Sequence, residues 1–258
     1  MSDSFPSDGS GPDPYLDRLA PIVLDPESTR SHKIIGLSIR DKQSRAFNLM
    51  RTQLLKKLDK GKMSLLGVTS ASPGAGKSFL SVNLAASLSR VVKGPTFLID
   101  LDLRRGCVAE ELGIECALGV GDFLSGKIDR VREVGRRVED TRLAVFPTRA
   151  APIDTASVLS GERFEALVAE FREIDSEGVA IFDLPPVFAT DDAALTLRRL
   201  DGYIMVVDAG KTTRRQLAVA AEMLEPTPCL GTVLNRYAGG ILDSYGYGST
   251  AYDNYYGG

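Results

Sequence analysis

The sequence predicts an α/β protein with a doubly wound, mostly parallel sheet that is flanked by helices. Two patterns support this prediction. Short apolar runs rich in β-branched residues recur between residues 64 and 235, and segments with helical spacing of apolar residues fill the intervals between them. Strands that are apolar on both faces are typical of buried parallel sheets, and the intervening helices supply the crossovers that parallel strands require.

The individual elements follow from these patterns in chain order. The predicted strands cover residues 64–69, 96–100, 143–147, 178–183, 203–209 and 230–235. The predicted helices cover residues 78–92, 162–174 and 214–224. A further helix is expected at about residues 42–58, before the first strand, because the apolar residues from Phe47 to Leu58 lie near helical spacing.

The two ends of the chain differ in composition from its centre. The first 30 residues are rich in Ser, Asp, Pro and Gly, which predicts a disordered leader over residues 1–30. After Tyr237 the sequence reads GGILDSYGYGSTAYDNYYGG, without helical or strand periodicity, so a flexible tail is predicted over residues 238–258. The folded domain is therefore expected over residues 31–237.

Composition excludes several classes of function. The chain has 258 residues, of which 25% are charged, and its net charge of −3 provides no field to attract nucleic acid, so no nucleic-acid partner is expected. No apolar run approaches the roughly 20 residues of a membrane-spanning helix, and the N-terminus lacks the pattern of a secretion signal. The 3 cysteines lack metal-ligand spacing and His32 is the single histidine, which argues against a zinc site or a histidine-based triad.

The most specific motif is a glycine-containing loop between a predicted strand and a predicted helix. Residues 64–84 read SLLGVTSASPGAGKSFLSVNL, in which Ala71 replaces the first glycine of the G-x-x-x-x-G-K-[ST] pattern. Glycines let backbone N–H groups converge on phosphate oxygens, Lys77 can reach the β- and γ-phosphates, and the Ser78 hydroxyl can bind Mg²⁺. Nucleotide contacts are expected from Ser72, Pro73, Gly74, Ala75, Gly76, Lys77, Ser78 and Phe79. The alternative is a tight strand–helix turn with an incidental lysine.

Two of the predicted strands end in aspartates. The stretch TFLIDLDLRR places Asp100 and Asp102 two residues apart, and GVAIFDLPP places Asp183 at the end of its strand. Ligands of open α/β sheets bind at the carboxyl ends of the strands, so one carboxylate here can hold Mg²⁺ and another can accept the proton of an attacking hydroxyl. Arg104 and Arg105 are expected either to stabilise charge on a transferring phosphoryl group or to pair with Asp102.

Together these motifs resemble those of the bacterial tyrosine kinases of capsule and exopolysaccharide synthesis. That family has a modified phosphate loop, a strand ending in D-x-D-x-R and a strand ending in D-[ST]-P-P, which appear here as SASPGAGKS, DLDLR and DLPP. The resemblance extends from about residue 45 to residue 235. It implies that residues 31–237 form an ATP-binding kinase domain of the P-loop NTPase group, with ATP and Mg²⁺ as cofactors.

The resemblance also implies roles for individual residues. Catalysis is expected from Lys77, Asp100, Asp102 and Asp183, with the identity of the general base left open. Mg²⁺ is expected on Ser78, Asp100 and Asp183. Asn235 matches the position at which the wider fold group binds the adenine base, although a strand-end asparagine is also a common cap.

Three features of the sequence depart from the patterns of this family or of related ATPases. Leu184 stands where the family has a small hydroxyl residue after the strand aspartate. The family's E-x-x-R-x-x-R helix, which supports ring assembly of subunits, aligns with Arg45, Asn48 and Arg51, of which only Arg51 matches. A homo-oligomer is expected, whereas ring assembly through the usual contacts stays open. Ser72 occupies the position of an extra lysine in ATPases that partition plasmids or position division sites, which argues against that class.

The resemblance implies a partner as well. Kinases of this family are activated by a cytoplasmic segment of a membrane protein, which is either fused or separate. Because the sequence lacks a membrane-spanning run, a separate membrane-anchored activator, or polysaccharide co-polymerase, is expected. The expected location is the cytoplasm, with recruitment to the inner face of the plasma membrane left open. A cognate tyrosine phosphatase is a further compatible partner.

The tail is exceptionally rich in tyrosine. Five of the 8 tyrosines lie in the last 14 residues, namely Tyr245, Tyr247, Tyr252, Tyr255 and Tyr256. Tyrosine is usually found in cores and interfaces, but here it alternates with glycine, so exposed phosphate acceptors are expected on a flexible segment. The alternative is a low-complexity tail that mediates weak self-association.

The sequence therefore predicts a protein-tyrosine autokinase that transfers the γ-phosphoryl group of ATP to its own tail and regulates polymerisation and export of an exopolysaccharide. Two alternatives remain at this point. One is an ATP-binding regulatory scaffold with little kinase activity, and the other is a partition-like ATPase that transfers the phosphoryl group to water.

Overall fold

The computed structural model describes residues 13–38, 44–58, 61–174 and 177–237. Its strands are β1 Ala20–Ile22, β2 Ser64–Ser70, β3 Thr96–Asp100, β4 Arg136–Val138, β5 Leu143–Phe146, β6 Val179–Asp183, β7 Gly202–Asp208 and β8 Cys229–Asn235. They form one eight-stranded sheet in the order β1-β4-β5-β3-β6-β2-β7-β8. All neighbouring strands are parallel except β4 and β5. The predicted doubly wound, mostly parallel sheet is confirmed.

Helices connect the strands and lie on the sheet. They are α1 Pro26–Ser31, α2 Ser44–Leu55, α3 Lys77–Ser89, α4 Val108–Leu112, α5 Val120–Leu124, α6 Thr155–Leu159, α7 Glu162–Arg172, α8 Asp192–Leu197 and α9 Arg214–Met223. Single 3₁₀ turns occur at Leu16–Arg18 and Val131–Glu133. In the part of the chain that the structure describes, no helix has the length and apolarity needed to cross a membrane.

The core consists of two layers, one on each face of the sheet. Strand β3 shows the alternation, because Phe97 and Ile99 pack in one apolar cluster and Leu98 packs in the other. Phe171 of α7 covers the first face and contacts Phe97 with a ring-centroid distance of 5.1 Å. Successive side chains of a strand point to opposite faces, so a strand between two helical layers must be apolar throughout. Burial of both strand faces therefore explains the unbroken apolar runs of the sequence.

The prediction of a disordered leader is wrong for residues 13–30. Strand β1 pairs in parallel with β4, and the segment before it buries Tyr15, Leu16 and Leu19 in the core. The Tyr15 ring packs edge-on against Phe97 at a centroid distance of 5.1 Å. A few apolar side chains thus anchor a segment whose average composition is polar. Residues 1–12 and the predicted tail, 238–258, lie outside the described residues.

The sheet brings together the carboxyl ends of three strands that carry the predicted site. Strand β6 lies between β3 and β2, and Asp100 at the end of β3 is in register with Asp183 at the end of β6. The loop that follows β2 leads directly into α3, which begins at Lys77. Residues that are far apart in the sequence therefore meet at one edge of the sheet, where ligands of such folds bind.

Candidate active site

The phosphate loop spans residues 71–76, between β2 and the first residue of α3. Gly74 and Gly76 have φ angles of 76° and 87°, in the left-handed region that favours glycine. A Cβ atom on Gly76 would also lie 2.3 Å from Asn235 Nδ2, whereas one on Gly74 would meet nothing within 4 Å. The loop ends at the N-terminus of α3, where backbone N–H groups and the helix dipole favour phosphate.

A cleft of about 370 Å³ opens beside the loop. Six of the nine predicted nucleotide-binding residues line it, namely Pro73, Gly74, Gly76, Lys77, Ser78 and Phe79, whereas Asn235 does not. Ser72 and Ala75 do not line the cleft, and their carbonyl groups accept hydrogen bonds from Ser70 Oγ and Asn235 Nδ2. Asp102 also lines the cleft, and the volume of the cleft is within the range of small-molecule sites.

The Lys77 ammonium lies between two carboxylates. Its Nζ donates to Asp102 Oδ2 at 2.9 Å and lies 3.8 Å from Asp183 Oδ2. Burial alone would lower the pKa of Lys77, but the charges of Asp183 and Asp102 outweigh burial and raise that pKa above its ordinary value. The side chain therefore remains a cation, as phosphate binding requires.

Ser78 and Asp183 meet as the sequence predicts. Ser78 Oγ donates to Asp183 Oδ2 at 2.6 Å, and Ser81 Oγ lies at 2.9 Å from Asp183 Oδ1. Burial raises the pKa of Asp183, against the opposing influence of Lys77. A hydroxyl beside a carboxylate is an oxygen donor set that suits Mg²⁺, which takes its remaining ligands from phosphate and water. Sequence reasoning missed Ser81, although its spacing of four residues from Lys77 placed both on one face of α3.

Asp100 is fully buried, and both of its carboxylate oxygens accept backbone N–H groups. Oδ1 accepts from Asp102 N at 3.1 Å, and Oδ2 accepts from Val108 N at 3.0 Å. Burial and the nearby Asp183 raise the pKa of Asp100 well above its ordinary value. This arrangement fits a carboxyl group that holds the segment between β3 and α4 in place, and thereby positions Asp102.

Arg104 contacts a partner that the sequence did not indicate. Its Nε lies 3.4 Å from Asp192 Oδ2, and its Nη2 donates to Thr155 Oγ1 at 2.6 Å. Both Arg104 and Arg105 line the cleft. Arg104 was expected either to stabilise charge on a phosphoryl group or to pair with Asp102. The structure pairs it with Asp192 instead of Asp102.

Asn235 braces the phosphate loop from the end of β8. Its Nδ2 donates to the carbonyl oxygen of Ala75 at 2.8 Å, and its Oδ1 accepts the N–H of Arg236 at 3.0 Å. Arg236 also lines the cleft and forms an ion pair with Asp208 at 3.1 Å. Sequence reasoning missed Arg236 because a single arginine after a strand has no distinctive pattern. The expected contact of Asn235 with adenine stays a prediction.

Two departures from the family pattern have structural explanations. Leu184 is fully buried in the core, where a Cβ added to Gly67 would lie 2.8 Å from its Cδ1, so its apolar side chain does not enter the cleft. Arg51 donates to the carbonyl oxygen of Ser87 at 3.0 Å, and Asn48 accepts from Ser87 Oγ at 3.3 Å. Helix α2, which aligns with the E-x-x-R-x-x-R motif, is thus hydrogen-bonded to α3 in this chain. The five tail tyrosines, Tyr245 to Tyr256, lie outside the described residues.

Comparison with known proteins places this site in context. The chain is 30% identical over 215 residues to the tyrosine-protein kinase YwqD of Bacillus subtilis, a match that covers 82% of this chain and 88% of YwqD. It is 30% identical over 210 residues to the tyrosine-protein kinase wzc of Salmonella typhimurium, and this match covers 78% of the chain but 28% of that protein. The solved kinase domain of the Escherichia coli tyrosine kinase ETK has a TM-score of 0.72 at 25% identity, with 84% of each chain covered. No protein-family model matches the chain.

The parallel sheet, the phosphate loop and the convergence of Lys77, Ser78 and Asp183 define a phosphate-loop nucleotide-binding protein. Within that class, the chain belongs to the family of bacterial tyrosine-protein kinases. The resemblance inferred from the motifs is thereby confirmed. The chain corresponds to only part of wzc but to most of YwqD.

Proposed function

We propose that this member of the tyrosine-protein kinase family transfers the γ-phosphoryl group of ATP to tyrosines of its own C-terminal tail. The observation that carries the proposal is the contact of Lys77 Nζ with Asp102 Oδ2 at 2.9 Å, inside a cleft walled by a phosphate loop. A phosphate-binding cation and an acidic group are thus neighbours at the place where a γ-phosphate and an attacking hydroxyl must meet.

Asp102 is the general base of the proposed reaction. Asp100 and Asp183 are fully buried, whereas Asp102 lines the cleft and is 3% exposed. When Lys77 contacts the β- and γ-phosphates, its hydrogen bond to Asp102 is given up, and that carboxylate becomes available to a tyrosine hydroxyl. A bond then forms between the tyrosine oxygen and the γ-phosphorus, the bond from that phosphorus to the β–γ bridging oxygen breaks, and the phenolic proton passes to Asp102.

Ser78 and Asp183 are the residues that would hold Mg²⁺, directly or through its water. When bound, Mg²⁺ neutralises charge on the β- and γ-phosphate oxygens. Ser81 orients the Asp183 carboxylate for this task, because its hydroxyl lies 2.9 Å from Oδ1 while Ser78 occupies Oδ2. Asp100 contributes indirectly, through its hydrogen bonds to the backbone of Asp102 and Val108.

The tail is a suitable acceptor because of where the chain leaves the sheet. Strand β8 ends at Asn235, whose side chain contacts the phosphate loop at 2.8 Å, so the residues that follow begin beside the cleft. Tyr245 lies 8 positions after Tyr237, and an extended chain of that length spans up to about 28 Å. Tyr245, Tyr247, Tyr252, Tyr255 and Tyr256 are thus within reach of an active site on the same subunit or a neighbouring one.

We further propose that the kinase acts with a separate membrane-anchored activator in the control of exopolysaccharide polymerisation and export, and that it forms homo-oligomers. The support is the family relationship together with the motifs. An added phosphate carries about −1.5 to −2 charge at neutral pH, so several of them on one tail would repel each other and loosen a tail docked on another subunit.

The acceptor claim is tested with a variant in which all five tail tyrosines are replaced by Phe. Purified wild type and this variant are incubated with MgATP, with and without a candidate activator segment. We expect the variant to bind ATP like wild type and to form no phosphotyrosine. Tyr203→Phe is the matched control, because Tyr203 is buried in the core, and it should retain phosphotyrosine formation. Phosphotyrosine that persists in the five-Phe variant would refute the tail as acceptor.

Phosphate release distinguishes the alternative functions. A partition-like ATPase releases inorganic phosphate without forming phosphoprotein, and a regulatory scaffold binds ATP without either product. Phosphotyrosine formation that exceeds phosphate release in the same reaction supports the kinase. The opposite ratio would support the ATPase.

A further inference from the structure

A buried carboxylate lies behind Arg104, the arginine of the DLDLR stretch. Asp192, the first residue of α8, is fully buried, and its Oδ2 lies 3.4 Å from Arg104 Nε. Thr155, the first residue of α6, is 1% exposed and joins the two. Its hydroxyl accepts from Arg104 Nη2 at 2.6 Å and donates to Asp192 Oδ1 at 2.9 Å. Three distant parts of the chain thus meet in one hydrogen-bonded triad.

The triad fixes one end of Arg104 and leaves the other end in the cleft. About half of the Arg104 side chain is exposed, and it lines the cleft together with Lys77 and Asp102. Among the described residues, Arg104 Nη1 has no hydrogen-bond partner. Asp192 and Thr155 fix the orientation of the planar guanidinium through its Nε and Nη2. Its remaining N–H donors can therefore bind a phosphoryl group with little further loss of conformational entropy.

Asp192 is fully buried, so its carboxylate requires charged or hydrogen-bonding partners. An isolated buried carboxylate is strongly unfavourable unless it is paired and hydrogen-bonded. The Asp192 carboxylate receives this compensation from Thr155 and Arg104, and its backbone N–H donates to Thr190 Oγ1 at 3.0 Å. Thr190 and Arg104 both line the cleft, so the triad is continuous with the wall of the site.

We propose that Asp192 and Thr155 are positioning residues that hold Arg104 so that its guanidinium stabilises charge on the transferring phosphoryl group. This inference rests on the proposed kinase function and deepens it. Interactions of this kind act more strongly on the transition state than on the bound substrate, so loss of the positioning residues lowers kcat while nucleotide affinity changes little.

The first test compares Thr155→Val with Thr155→Ser, which differ in the hydroxyl that the triad requires. Phosphotyrosine formation is measured as a function of ATP concentration. We expect Thr155→Val to lower kcat by about tenfold with KM for ATP within about twofold of wild type, and Thr155→Ser to restore kcat. Equal kcat values for the two variants would overturn the proposal.

A double-mutant cycle tests whether Asp192 acts through Arg104. Introduced into the wild-type background, Asp192→Asn should lower kcat by about tenfold. Introduced into the Arg104→Ala background, it should cause no further decrease in kcat. Additive losses would mean that Asp192 acts independently of Arg104, and would contradict the proposal. Glu165→Gln is the matched control, because it removes one member of the Arg199–Glu165 ion pair, both of whose side chains are 49% exposed.

A readout without an acceptor tyrosine separates this inference from the kinase proposal. The affinities of wild type, Asp192→Asn and Thr155→Val are measured for MgADP and for MgADP with aluminium fluoride, which mimics a phosphoryl group in transfer. The inference predicts that the variants lose about tenfold in affinity for the fluoride complex and less than about twofold for MgADP. Equal losses for both ligands would overturn it. If wild type forms no phosphotyrosine, the kinase proposal fails while this measurement still decides the role of the triad.

Discussion

Lys77 Nζ lies 2.9 Å from Asp102 Oδ2, so the phosphate-binding lysine is hydrogen-bonded to the carboxylate that we propose as the general base. In the proposed mechanism, the γ-phosphate of ATP competes with Asp102 for this ammonium group. We propose that nucleotide binding replaces a carboxylate partner of Lys77 with a phosphate partner. In this mechanism the exchange couples occupation of the nucleotide site to release of the base, because Asp102 loses its hydrogen bond from Lys77 and can accept one from a tyrosine hydroxyl.

The competition predicts opposite effects of Asp102→Asn on binding and on chemistry. Because the variant removes the anionic partner of Lys77, we expect the affinity for MgADP to stay unchanged or to rise. We expect phosphotyrosine formation to fall by at least about 100-fold, since the base is lost. Both quantities are measured on the same preparation, with the exposed Asp129→Asn as control. Reduced MgADP affinity with retained kcat would contradict this role for Asp102.

Alanine substitutions at the two glycines of the phosphate loop should reduce nucleotide affinity to different extents. Gly76→Ala combines a left-handed φ of 87° with a Cβ placed 2.3 Å from Asn235 Nδ2, whereas Gly74→Ala has a similar φ but open space around it. We expect nucleotide affinity to fall by about tenfold or more in Gly76→Ala and by less in Gly74→Ala, because only the first adds a clash to the strain. Titration with a fluorescent ATP analogue measures both.

The clash component of Gly76→Ala can be isolated by removing its partner. Asn235→Ala frees the space that the new Cβ would occupy, so the double variant should bind nucleotide more tightly than Gly76→Ala alone. Asn235→Ala by itself should weaken binding, because Ala75 loses the hydrogen bond at 2.8 Å that braces the loop. Identical affinities of Gly76→Ala and the double variant would mean that backbone strain alone is responsible.

The N-terminal segment predicts a stability effect that the sequence did not suggest. Leu16 is 4% exposed and packs in the main core cluster, so Leu16→Ala should reduce the free energy of unfolding by about 2–4 kcal/mol. Val23 is 72% exposed, and Val23→Ala should change it by less than about 0.5 kcal/mol. Urea unfolding of the two variants makes the comparison. Equal small effects would show that this segment does not belong to the core.

Asp100 predicts a dependence of stability on pH. Burial and Asp183 raise the pKa of folded Asp100 well above the ordinary value of 3.8, so between these two pKa values the folded state binds more protons than the unfolded state. The contribution of Asp100 to stability must therefore fall as pH rises through this window. The free energy of unfolding of wild type minus that of Asp100→Asn should decrease as pH rises above the ordinary pKa of 3.8. A difference that increases with pH would contradict this assignment.

Much of the fold was predictable because buried parallel strands need uninterrupted apolar runs. The predicted runs at 96–100 and 178–183 correspond to β3 at Thr96–Asp100 and β6 at Val179–Asp183. Strands β1 and β4 were missed because three residues are too few to show a period, and β4 contains Arg136 and Arg137. Their stability derives from the tertiary core, which a local pattern cannot reveal.

The site was predictable where a motif fixes local geometry and not where distant segments meet. The spacing of Lys77 and Ser78 after Gly76 placed both at the start of α3, and the strand-end position of Asp183 placed it opposite them. The partnership of Arg104 with Asp192 joins residues 88 positions apart and left no local pattern. The metal role expected of Asp100 stays a prediction. The hydrogen bonds that its carboxylate accepts from the backbone N–H groups of Asp102 and Val108 left no local pattern in the sequence.

The most direct test of the account is the formation of phosphotyrosine by the purified chain. Wild type and Lys77→Met are incubated with MgATP, with and without a candidate activator segment, and modified residues are located by mass spectrometry. We expect phosphotyrosine within residues 245–256 of wild type and none in Lys77→Met, which lacks the cation that we propose contacts the phosphates. Absence of phosphotyrosine in wild type under both conditions, with ATP binding confirmed, would contradict the kinase function.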